Sequence, residues 1–152
     1  MKIKEIMHNL EKVPHSLNVA GASVIMDLKN VGELLVEKDG VFVGILTESD
    51  ILKKVVARCK DPTTTTAGDV LTAPIVMIDE NKEIEDAAAM MLTNGIRRIV
   101  AQRHGKPVGI VTTRIISNNI KYLINKKLQH ALAEKKKKTS ENVYKAVNLN
   151  KI

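Results

Sequence analysis

The chain has 152 residues, 44% of them apolar, enough for one ordinary domain or for two small repeats sharing a core. Phe42, Tyr122 and Tyr144 are its only aromatic residues, which disfavours modules that read single-stranded nucleic acid by stacking bases. The net charge of +7 is confined: residues 1–116 hold 15 Lys/Arg against 15 Asp/Glu, while residues 117–152 hold nine Lys and two Glu, so the basic excess describes a tail and excludes a basic body. The predicted elements begin with a short extended segment around Leu10. A helix follows from a cap near Ser16, with Val19, Ala22 and Met26 on one face and Asn30 as its left-handed terminator. Then come a buried strand at 34–36, a turn at Asp39-Gly40, a strand at 41–46, and a helix from Thr47 bearing Ile51, Leu52, Val55 and Val56. The breaker-rich stretch 61–68 reads as a linker.

The same order then recurs. Shifted by 65 residues, Val43-Gly44-Ile45-Leu46-Thr47 falls on Val108-Gly109-Ile110-Val111-Thr112, Gly40 on Gly105, Ala22 on Ala87 and Ile51 on Ile116. Glu5-Ile6-Met7 resembles Asp69-Val70-Leu71 at a shift of 64. The second copy predicts a helix from near Asn81 (Ile84, Ala87, Ala88, Met91) ending at Gly95, strands at 99–101 and 108–111 around His104-Gly105, and a helix from Thr112. Residues 117–133 extend as an amphipathic helix with Ile120, Leu123, Ile124, Leu128, Ala131 and Leu132 on one face, placed on the body or across a dimer. Residues 134–139 read as a solvated or frayed lysine run. The fold class is α+β, one β-α-β-β-α unit made twice, divided as repeat 1 at 1–60, linker 61–68, repeat 2 at 69–125 and a C-terminal helix with basic tail at 126–152.

This order, with VGILTESD at 43–50 and its counterpart 65 residues on, resembles the cystathionine-β-synthase (CBS) domain, and two in tandem resemble a Bateman module, here free-standing. The resemblance covers roughly residues 3–125. It implies two copies packed about a pseudo-twofold axis, with clefts that bind adenosine-containing ligands (AMP, ADP, ATP, S-adenosylmethionine). It also implies a homodimer that regulates a partner protein. On that resemblance Asp50 accepts the ribose hydroxyls, Thr47 helps hold sugar or phosphate, and Asn30, Val31 and Gly32 line the adenine pocket, with Leu10 over its other face. Arg98, and with it Arg97, faces phosphate across the cleft, and Thr112 and Arg114 reach it from the second copy.

Plainer readings stand beside these. Thr47 and Asp50 also satisfy a helix capping box, and a carboxylate suits either task because it offers two acceptor oxygens. Asn30 to Gly32 also fit an ordinary helix-to-strand turn, and Arg97-Arg98 an arginine pair at a strand edge. The second copy departs from the first: Ile115 stands where Asp50 does, and Glu33 stands where Arg98 does, so a second ligand site is expected to fail, with Glu33 repelling phosphate there. His8, His15, His104 and His130 show no metal spacing and no nucleophile–base pairing, and phosphate-binding glycine motifs are absent. A non-enzymatic nucleotide sensor is the expectation. The alternative is a nucleic-acid-associated protein working through its lysine-rich end. The lone Cys59, the acid-containing N-terminus and the lack of a long apolar run lead to the expectation of a cytoplasmic protein without a membrane segment or catalytic cofactor.

Overall fold

In the computed structural model, residues 1–149 are described, with side chains through Tyr144. They form two units: Met1–Thr112 and a second from Thr113 onward. The first contains β1 (Lys12–Pro14), α1 (Val19–Lys29), β2 (Glu33–Lys38), β3 (Val41–Thr47), α2 (Glu48–Lys54), α3 (Ala67–Val70), β4 (Met77–Asp79), α4 (Ile84–Asn94), β5 (Arg98–Arg103) and β6 (Lys106–Thr112). The second is the single helix α5 (Thr113–Leu149).

Each repeat folds one three-stranded sheet, ordered β1-β2-β3 and β4-β5-β6, with the outer short strand parallel and the hairpin antiparallel. The hairpin turns are Asp39-Gly40 (φ 50° and 76°) and His104-Gly105 (φ 50° and 77°). Positive φ at both central residues gives the two-residue turn whose twist suits paired strands. Both hairpins carry a bulge at the same relative place, after Val36 and after Ala101. α1 and α4 end on left-handed residues, Asn30 (φ 52°) and Gly95 (φ 62°), as the sequence predicts.

Two helix starts differ from expectation. α1 is capped by Asn18, whose side chain accepts from the Gly21 N–H, because 14–17 close a turn (Leu17 N–H to the Pro14 carbonyl, 3.0 Å) where Ser16 was expected to cap. Asn81 is likewise absorbed by a turn on Asp79, and α4 starts after Glu83, whose backbone N–H donates to Asp86.

The repeats exchange their leading segments. α3 buries Ala67 and Val70 in the core of the first repeat, among Val13, Val19, Ala22, Leu34, Leu46 and Val55. Thr72 then pairs with Ile45 of β3 through two backbone hydrogen bonds of 2.8 and 2.9 Å. In return, residues near the N-terminus join the second repeat. Ile3 is fully buried and donates to the Lys82 carbonyl, and His8 exchanges two hydrogen bonds (3.0 and 3.1 Å) with Ile110 of β6.

This exchange explains the paired glycines of the repeat. A Cβ on Gly44 would lie 2.5 Å from Leu71 Cδ1 and 2.8 Å from the Thr72 carbonyl oxygen; on Gly109 it would meet the Met7 side chain, Sδ at 2.5 Å. Backbone cannot yield as a thioether does. Gly44→Ala is therefore expected to cost about 1–3 kcal/mol, and Gly109→Ala clearly less, read from urea midpoints. Equal losses would mean that Thr72 is not held against β3.

α5 continues well past 134–139, which was expected to be solvated or frayed and is exposed but helical. Lysine, glutamate and alanine are strong helix formers, and no Gly or Pro interrupts residues 113–149. Ile120, Ile124, Leu128 and Leu132 remain 38–58% exposed along it. Residues 150–152, the end of the expected basic tail, lie outside the described residues.

Candidate ligand site

The chemistry gathers at the start of α2. β3 runs to Thr47, and α2 begins with a capping box: the Thr47 hydroxyl accepts from the Asp50 N–H (3.2 Å), and Asp50 Oδ2 accepts from the Thr47 N–H and hydroxyl (each 3.0 Å). The capping reading of this pair is thus realised. It leaves Oδ1 aimed away from the helix start, where it accepts from the Thr72 hydroxyl (2.8 Å) and the Lys54 ammonium (2.9 Å). Asp50 is only 7% exposed. Burial pushes its pKa up, but the hydrogen bonds from Lys54, Thr72 and Thr47 outweigh that and hold the carboxyl below the usual aspartate range.

Arg98, at the start of β5, meets this region from the second repeat. Its Nε donates to Glu33 Oε2 at 2.6 Å, and Nη2 lies 3.4 Å from the place a Gly32 Cβ would occupy, beside Glu48 Oε2 at 3.1 Å from the same point. The Gly32 carbonyl accepts from the Glu48 N–H (3.1 Å), so the turn after α1 and the start of α2 are tied together. A side chain at 32 would crowd both Glu48 and Arg98; this close approach is what the glycine permits. Glu33 pairs with Thr47 across the β2–β3 ladder. Thr47, Asp50, Gly32, Glu33 and Arg98 thus form one connected neighbourhood.

Positions 33 and 98 are equivalent in the repeat, so their ion pair spans the pseudo-twofold relation itself. Glu33 was expected to repel phosphate at a separate second site. Its carboxylate is instead occupied by Arg98 and by the His8 ring (Nε2 to Oε1, 3.5 Å), because the axis brings the two equivalent strand starts together.

The remaining sequence candidates are placed as follows. Asn30 and Val31 form the left-handed turn before Gly32, and Leu10 is half-buried just ahead of β1. Arg97 is exposed beside Arg98, and Thr112 pairs with Arg98 across the β5–β6 ladder. Arg114 is exposed on α5, in the other unit, with Ile115 next to it. Sequence reasoning missed Thr72, Lys54 and His8. Lys54 was legible as the i+4 partner of Asp50; Thr72 and His8 arrive through long-range pairing that no local pattern announces.

Two α+β units with exchanged leading segments, and a buried acid at the start of the helix after a Val-Gly-Ile-Leu-Thr strand, define a tandem-repeat module. The CBS domain family matches twice, at residues 3–57 and 67–122, and the chain belongs to that family as a tandem pair. It is 32% identical over 114 residues to an uncharacterised Bacillus subtilis protein, YlbB, covering 73% of this chain and 76% of that one. A Methanopyrus kandleri protein is 36% identical over 83 residues, but there the chain spans only 42% of the relative's length and the match covers 54% of this chain. Among solved structures, the hexameric CBS-CP12 protein from bloom-forming cyanobacteria superposes with a TM-score of 0.70 at 28% identity, covering 76% of this chain and 69% of that one. CBS pairs are generally regulatory or signal-transduction modules. No helix among the described residues is long and apolar enough to cross a membrane.

Proposed function

We propose that the chain is a sensor that binds an adenosine-containing ligand (AMP, ADP, ATP or an S-adenosylmethionine-like molecule) beside Asp50 and passes its occupancy to a partner protein, with no catalytic step of its own. The observation that carries this reading is the arrival of Arg98 from the second repeat at the Gly32 turn, whose carbonyl holds the start of the helix that bears the buried Asp50. A vicinal diol needs an acceptor pair, and Asp50 Oδ1 offers its lone pairs in exchange for the Thr72 and Lys54 donors it now holds. Arg98 keeps its Nη groups for phosphate while Glu33 fixes Nε. Binding then exchanges donor for donor and leaves no buried polar atom orphaned.

Because Ile115 cannot receive a hydroxyl, the second copy supplies no equivalent acceptor. Titration calorimetry with adenosine, AMP, ATP and S-adenosylmethionine is expected to give one site per chain, and two equal sites would overturn the asymmetry. Light scattering on the same sample is expected to give a homodimer. Val24, Leu28, Leu52 and Val56 of the first repeat are 56–77% exposed, although Val55 and Ile116, expected on the same apolar faces, are buried. The nucleic-acid reading draws less support. On a helix turning about 100° per residue, Lys135 to Lys138 are spread around the axis rather than gathered on one face.

A further inference from the structure

Lys54 makes more contacts than a surface lysine needs. Its ammonium lies 2.9 Å from Asp50 Oδ1 and donates to the Val70 carbonyl (2.9 Å), with the Leu71 carbonyl and the Thr72 hydroxyl each at 3.3 Å. An ammonium has three N–H donors, so all of its capacity is spent on one acid of the first repeat and on the leading segment of the second. That segment is the one exchanged between repeats: Val70 is in the first repeat's core, and Thr72 pairs with Ile45. The second copy lacks the whole arrangement, since Asp50, Lys54 and Thr72 correspond to Ile115, Asn119 and His8.

We propose that Lys54 is a built-in competitor of the ligand and the element that reports its arrival. This rests on the adenosine reading above. The ammonium occupies the oxygen that a ribose hydroxyl would take, so the site stays closed until a ligand displaces it. Once displaced, Lys54 no longer clamps the carbonyls of Val70 and Leu71, and residues 70–72 loosen from β3. Occupancy at Asp50 is thereby converted into a change in the joint between the repeats. A ligand shifts such an equilibrium only by its differential affinity for the two states, and competition with Lys54 supplies that difference.

The test uses the full chain with adenosine and AMP as probes. Lys54→Met removes the competitor and is expected to bind adenosine about tenfold more tightly than the unaltered protein, the effect of one charge-assisted hydrogen bond; Lys54→Arg should stay close to the unaltered value. Hydrogen exchange at the Thr72 amide should be slow in the free protein, faster with adenosine bound, and already fast in unliganded Lys54→Met. If the Met variant is poorly folded, Lys54→Gln, which removes the charge but keeps a polar side chain of similar reach, should also tighten binding. Adenosine binding by the unaltered protein, with no tightening in either variant, overturns the competitor role alone. Failure of the unaltered protein to bind either probe overturns the adenosine reading and the competitor role with it.

Discussion

Replacing Asp50 by alanine is expected to weaken adenosine, AMP, ATP and S-adenosylmethionine alike, by roughly ten- to a hundredfold, and to lower stability by about 1–3 kcal/mol. Both effects share an origin. Among the described residues the carboxylate is the one acceptor shared by the Thr47 cap, the Thr72 hydroxyl and the Lys54 ammonium. Asp50→Asn separates them, because an amide keeps size and part of the cap but offers one acceptor oxygen in place of two. It should retain most of the stability and lose most of the binding.

The same variant has an acid signature. The folded pKa of Asp50 lies below its unfolded value, near 3.9. Its contribution is therefore fully present above about pH 4 and is lost as pH falls through the folded value. Asp50→Asn removes that dependence, so its stability should fall less steeply on the acid side than that of the unaltered protein. Parallel acid limbs in urea titrations would show that Asp50 is not held by these donors.

Arg98→Ala is expected to be the most destabilising single change in the neighbourhood, at about 3 kcal/mol. Glu33 is 7% exposed and, among the described residues, would be left with the His8 ring, 3.5 Å away, as its nearest polar side-chain partner. Glu33→Ala should cost less, because the Arg98 side chain is 28% exposed and can turn toward water. A double-mutant cycle on the two should show strong coupling, the double variant being less damaged than the two losses summed. Ligand charge supplies an independent reading: Arg98→Ala should weaken AMP and ATP strongly and spare uncharged adenosine. Equal weakening of adenosine and AMP would take Arg98 away from the phosphate and end the cross-repeat assignment.

Much of this was legible in the chain because it is written in local rules. Asn30 and Gly95 stop their helices by a backbone conformation that few residues tolerate. Asp39-Gly40 and His104-Gly105 turn their hairpins for the same reason, and Thr47 with Asp50 caps α2 by spacing alone. The helix starts were misread where a turn competed with the helix for the same polar side chain, at Ser16 and Asn81. The lysine run at 134–139 is solvated but not frayed, because lysine's backbone preference favours the helix observed. The hidden part was non-local. Glu33 and Arg98 are 65 residues apart and read as members of separate sites until the symmetry of the fold places them in contact.

The exchanged leading segments carry a consequence for heredity as well as for shape. The stretch that repeats along the chain and the stretch that closes a hydrophobic interior are out of phase, since Ala67 and Val70 belong by sequence to the second copy and by packing to the first. A mutation near residue 70 is therefore felt in the first repeat's interior, and one near Ile3 in the second's. Neither half can drift independently, because each keeps part of its foundation in the other. What selection sees is the pair, and a gene fragment holding one copy would have to borrow its missing piece from a second molecule.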